Sequence, residues 1–276
     1  MKRFLLRLTA HPTAAFGAAI CSMVVILVVI APLLWPYAVG TMNFEQMLVA
    51  PTWLHPFGTD SYGRDVFIRV LEGAKLSATI SLSGVLLAAV TGTASGTFAG
   101  MHEGLPGAVL MRLADLIFSF PSFVLALFLV VVLGFGTQNI IFAIALVYFP
   151  VFARLARNLT TVVKHDTYVA AAQVLGQSRL HVMLREILPN IAAPLLVQLT
   201  MGVAFGIVIE AGLSFIGLGV QPPRPSLGTI MADGREYFQR APWVLTLTGT
   251  FVSVALLGLN LLGDGLRDLA DPRLRS

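Results

Sequence analysis

An all-α polytopic membrane protein with six transmembrane helices is the fold this chain predicts, and three observations predict it. Hydrophobic residues make up 57% of the 276 and charged residues only 12%, about half the charge of a soluble domain. The charges sit in short segments that separate apolar blocks long enough to cross a bilayer. The longest polar stretches run to about 30–40 residues, below the size of an ordinary soluble domain.

The blocks give the spans in order. Ala14–Val39 is the first and Leu76–Met101 the second, 26 residues each. Each makes about 39 Å of helix against a hydrocarbon core of about 30 Å. Lys2, Arg3 and Arg7 ahead of the first block resemble the start of a secretory signal. The uncharged run behind them is too long for a cleaved segment, so an uncleaved span is expected. Leu116–Ala153 has no charge over 38 residues, and the turn cluster Gly134-Phe135-Gly136-Thr137-Gln138-Asn139 divides it into a third and a fourth span. The fifth covers Ile191 to Phe215 and the sixth Ala241 to Gly263. In domain terms, residues 1–75 hold the first span and an outer loop. Residues 76–265 form the transmembrane domain with an inner loop at 158–190, and 266–276 form a tail.

Six spans leave both termini on one side, and basic residues decide which. Twelve Lys and Arg fall in segments on the side of the termini and six in the segments opposite. The excess puts both termini and the 158–190 loop in the cytoplasm. Because the basic residues are scattered among short loops, they read as orientation signals and not as a nucleic-acid surface. Cys21 is the single cysteine, so no internal disulfide can form.

Within the second span, Gly84, Ala88, Gly92, Ser95, Gly96 and Gly100 lighten one helix. Small residues let backbones approach where lipid gives no hydrophobic drive, and Gly92 with Gly96 is read as packing inside the subunit. Arg112 and Asp115 read as a pair opening the third span, with Pro121 one and a half turns later. In the first outer loop, His55, Asp60 and Asp65 are of metal-ligand type, but turn formation explains the two aspartates better and no metal site is assigned. Glu210 stands inside an apolar run, where a carboxylate is costly and faces protein or water. It is a candidate pathway or gate residue, with a structural hydrogen-bonded role of equal standing. No phosphate-binding loop, zinc-protease helix, serine elbow or CxxC is present, so no catalytic residue is assigned.

The longest charged stretch between two apolar blocks reads NLTTVVKHDTYVAAAQVLGQSRLHVMLREILPN, from Asn158 to Asn190. Asp166 can cap a short helix through Tyr168, Ala170, Ala171, Ala172 and Leu175. Gly176 suits a turn that a Cβ would obstruct. Ser178 can cap a second helix, which Pro189, after Leu188, disfavours continuing. Two short amphipathic helices joined at a glycine are therefore expected.

The alanine–glycine–proline frame of this stretch resembles the ATPase-coupling loop of ABC importer permeases. The outer-loop run His55-Pro56-Phe57-Gly58-Thr59-Asp60-Ser61-Tyr62-Gly63-Arg64-Asp65 is similar to a signature of one branch, the dipeptide, oligopeptide and nickel importers. So are Glu210-Ala211-Gly212-Leu213-Ser214-Phe215 with Gln221-Pro222-Pro223, and the ending Gly263-Asp264-Gly265 with Asp271-Pro272-Arg273. The likeness runs from His55 to Arg273 and is to the second permease of such systems. It implies a type I ABC importer permease fold in a bacterial inner membrane. It also implies a second homologous permease, two cytoplasmic ATPase subunits and an extracytoplasmic solute-binding protein as partners. ATP and Mg would be bound by the ATPases and no cofactor by this chain. The coupling residues it implies are Tyr168, Ala170, Ala171, Ala172, Gly176, Ser178, Leu188 and Pro189. The rival from another class is a self-sufficient ion-coupled carrier or channel, for which Glu210 is the one deep ionisable group.

Overall fold

The structure is a computed structural model that describes residues 12–102 and 104–270. Lys2, Arg3, Arg7 and the Asp271-Pro272-Arg273 ending lie outside the described residues. Helix α1 spans Pro12–Leu34, α2 Val66–Met101, α3 Leu105–Phe118, α4 Ser122–Leu133 and α5 Thr137–Val163. Then follow α6 (Thr167–Val174), α7 (Arg179–His181), a π-helical turn (Val182–Ile187), α8 (Leu188–Phe215), α9 (Leu227–Glu236) and α10 (Pro242–Ala270). Among the described residues, five helices are long and apolar enough to cross a membrane, and α3 with α4 makes a sixth span if the bent pair counts as one. That agrees with the expected all-helical, six-span architecture.

Two spans differ from expectation in ways the local chemistry explains. The second begins at Val66, ten residues before Leu76, because Asp65 caps it: its Oδ1 accepts from the Ile68 N–H at 2.9 Å. Charged Arg69, Glu72 and Lys75 therefore lie on the helix and not in a loop. The third span is broken. Leu116 lies in the last turn of α3, and α4 leaves at 92° to it. Pro121 has no N–H and disfavours helical geometry at Phe120, and the Ser119 hydroxyl donates to the Leu116 carbonyl at 2.7 Å. Asp115 is thus at the end of its helix, not the start. It pairs with Arg154 of α5, at 2.6 Å, and not with Arg112.

Helices α2 and α5 form the central seam. A Cβ on Gly84, Gly92 or Gly100 would come within 2.8 Å of Ile144, within 2.7 Å of the Phe149 carbonyl, or within 2.7 Å of Thr160. At Gly96 it would run into the Ala153 carbonyl. The small-residue stripe is an intramolecular seam, as the sequence suggested. Around it lies the main core, with Ile80, Val85 and Ala88 of α2 against Ile140, Ile144 and Phe152 of α5 and Leu213 of α8. Helix α1 packs on α10, where Gly17 faces the Leu262 backbone and Gly265 faces Ala14.

Candidate functional site: a helix–turn loop and a buried carboxyl

The 158–190 loop is ordered by its own hydrogen bonds. Asp166 occupies the N-cap position of α6, but only its backbone carbonyl acts, accepting from Val169 and Ala170 at 3.1 Å each. The expected side-chain cap is absent. Helix α6 stops where expected: Gly176 has φ +78°, its N–H donates to Gln173, and the Gln177 N–H donates to Ala172 at 3.2 Å. These two bonds close the free carbonyls of the last turn, and they need a left-handed residue. Ser178 accepts from the His181 N–H and starts α7 as predicted.

The second short helix does not end at Pro189. It widens into the π turn, where the Leu188 N–H reaches Met183, and runs on into α8. The proline would have displaced the carbonyl four residues earlier; one wider turn accommodates the ring without breaking the helix.

One face of this loop is fixed and the other is free. Val169 and Ala172 of α6 pack with Val182, Ile187 and Ile191, and with Ala156 of α5, in a separate buried cluster. Ala172 therefore does not share the surface with the other predicted contact residues. Tyr168, Ala170, Ala171, Gly176, Ser178 and Pro189 are exposed, while Leu188 is half-buried. At the tip, Val174 is 88% and Leu175 80% exposed, although both are large and apolar. Neither was among the predicted contact residues, and the Val-Leu pair before the glycine was the available signal.

Glu210 is 0% exposed, on α8. Its Oε1 accepts from the Ser214 hydroxyl at 2.7 Å, and that hydroxyl accepts from the Val220 N–H at 3.1 Å. Ser77 on α2 and Ser226 at the N-cap of α9 lie beside this carboxyl, but its Oε2 makes no hydrogen bond. Ser77 in turn accepts from Leu227, and Ser226 caps α9 through Thr229. The carboxyl is thus buried where α8 meets α2 and the start of α9. Ser214, one turn from Glu210, was legible as a partner; Ser77 was not.

The outer-loop residues are partners of one another. His55 Nδ1 lies 2.7 Å from Asp65 Oδ2. Asp60 accepts from the backbone N–H groups of Tyr62 and Arg64 and from the Arg64 side chain at 2.6 Å, with Arg69 3.5 Å away. Across from them, burial pushes the Asp233 carboxyl up from its ordinary range, against the pull of Arg69 and Arg64.

A family model for the inner membrane component of binding-protein-dependent transport systems matches residues 92–276. The chain belongs to that family. A second model, for the N-terminal transmembrane domain of oligopeptide transport permease C, matches residues 1–51 of this permease. The permease is 38% identical over 274 residues to the di/tripeptide transport system permease protein DppC of Pseudomonas aeruginosa, covering 97% of this chain and 90% of that one. It is 36% identical to the glutathione transport system permease protein GsiD of Pectobacterium atrosepticum, covering 94% and 88% of the two chains. In shape it is similar to the MetNI methionine ABC transporter in an inward-facing form, with a TM-score of 0.60 at 16% identity, covering 73% of this permease and 96% of that chain. That likeness shows a shared fold: the type I ABC importer permease.

Proposed function

We propose that this permease forms half of the translocation pathway of an ATP-driven importer for dipeptides, oligopeptides or related small solutes, and that the 158–190 loop receives the ATPase. The observation that carries the coupling role is the tip of α6: large apolar residues stand exposed on a rigid turn beyond the spans. A surface of that kind binds a partner. The names of the relatives, for di/tripeptides and glutathione, support a peptide or peptide-like solute. A second permease, two ATPases holding ATP and Mg, and an external binding protein complete the assembly, with both termini of this chain cytoplasmic. ATPase closure moves the loop and the spans alternate between outward and inward openings.

Uptake by the reconstituted assembly is the test: peptide should accumulate only with ATP and the ATPases present. Accumulation by this chain alone under an ion gradient would instead establish the carrier reading. The orientation has its own check. In a Cys21→Ser background, Lys164→Cys should resist an impermeant maleimide applied to intact cells, and Asp60→Cys should react. Labelling at position 164 from outside would reverse the topology.

The burial of Glu210 favours its structural role over a gate. Glu210→Leu removes the acceptor of the buried Ser214 hydroxyl, at about 1–3 kcal/mol for a buried polar group left unsatisfied, so thermal stability and uptake should both fall. Glu210→Gln keeps an acceptor and should lose little of either. Equal uptake by both variants at parental stability would remove this role.

A further inference from the structure

Two cavities meet at one turn of α2. The first, about 310 Å³, is apolar and runs between α1, α2 and α10, along Val25, Val29, Leu82, Phe251 and Ala255. The second, about 630 Å³, carries three charged side chains, Glu72, Lys75 and Arg224, on a wall otherwise built of residues such as Val39, Leu76 and Pro223. Lys75 and Thr79 line both, so the slot and the basin adjoin at this turn. Thr79 is already satisfied, donating to the Lys75 carbonyl at 2.7 Å. Lys75, Arg224 and Glu72 make no ion pair with any described residue.

The structure assigns this pair of cavities to a phosphatidylethanolamine molecule, its acyl chain in the slot and its headgroup in the basin. Lys75 and Arg224 face the phosphate and Glu72 the primary ammonium, a charge pattern of two cations and one anion that matches the zwitterion. Lys75 is exposed at the head of the apolar slot, where a lipid phosphate supplies its counter-ion. The slot extends about 12 Å along α1, from Cys21 to Val29. Its walls offer a polar peptide no partners. The site requires only that the chain be membrane-embedded, and it stands whether or not the importer reading does.

The test is photocapture in liposomes, with the chain in its purified assembly and a phosphatidylethanolamine carrying a diazirine on one acyl chain. Capture should concentrate in residues 21–29 and 251–259 and exceed that on Val124, Phe128 and Val131 of α4, which face outward. Lys75→Gln should lower it about fivefold, the effect of one basic group near a membrane surface, and Ala255→Trp should block the slot. Capture on α4 stays constant in any folded variant, which separates a lost site from a lost fold. Capture at the slot no stronger than on α4, or unchanged by both substitutions, overturns the proposal. Equal capture of the choline analogue, whose ammonium cannot donate to Glu72, overturns it too.

Discussion

Gly96→Val is expected to abolish the folded permease. Any Cβ there collides with the Ala153 carbonyl and comes within 2.9 Å of the Ala156 methyl. The carbonyl belongs to a hydrogen-bonded helix and cannot swing aside, so α2 and α5 must separate. Overpacking of a core typically costs about 1–3 kcal/mol and can cost more. Here separation also forfeits contacts along the seam at Gly84, Gly92 and Gly100. Against a total stability of about 5–15 kcal/mol, a loss beyond about 3 is enough to populate misfolded chains. Gly249→Val is the control, since its nearest neighbour is Met231 Cε at 3.9 Å. Size-exclusion profiles and thermal midpoints of the two variants should diverge sharply. A parental midpoint for Gly96→Val would mean that the seam is looser than described.

Gly176→Val should leave insertion intact and stop transport. The positive φ costs a β-branched residue about 1–2 kcal/mol of backbone strain. Nothing lies within 4 Å of a Cβ built there, so the damage is confined to the direction of the loop. Relief of the strain turns α6 relative to α7 and misplaces the exposed tip before its partner. Gly176→Asn, which tolerates the left-handed region, should restore function. Ala171→Asp keeps the backbone but puts a charge on the exposed face, and should be equally harmful. At matched permease levels, uptake and copurified ATPase should fall about tenfold or more in both, the effect of about 1.4 kcal/mol in docking. Full uptake and full ATPase retention in Gly176→Val and Ala171→Asp would reduce the loop to a connector.

Much of this was legible because membrane burial writes itself locally. Uncharged runs mark spans, small residues mark the α2–α5 seam, and Gly176 and Ser178 mark a turn through rules that reach only a few residues. What escaped was settled over distance or by balance. Asp115 finds Arg154 on another helix, 39 residues away, where sequence proximity pointed to Arg112. Glu210 reaches Ser77, brought close only when α2 and α8 pack. Pro121 and Pro189 look alike as helix breakers, yet the first turns the chain by 92° and the second is absorbed by a π turn. The difference lies in what each neighbourhood offers the backbone. The Ser119 hydroxyl satisfies a carbonyl at the corner before Pro121, while buried Val182 and Ile187 hold the widened helix in register near Pro189.

That absorbed proline has a mechanical consequence. From Arg179 to Phe215 the chain is one helical rod of 37 residues, about 55 Å if straight, with no swivel between the exposed loop and the bilayer. No non-helical joint separates α7 from the span, so a displacement at α7 would tilt or bend the helix itself. At the other end Glu210 and Ser214, bonded to each other on this helix, pack beside Ser77 of α2 and the Ser226 cap of α9. On the proposed coupling role, a push received at the loop would reach the far end of α8 through unbroken helix.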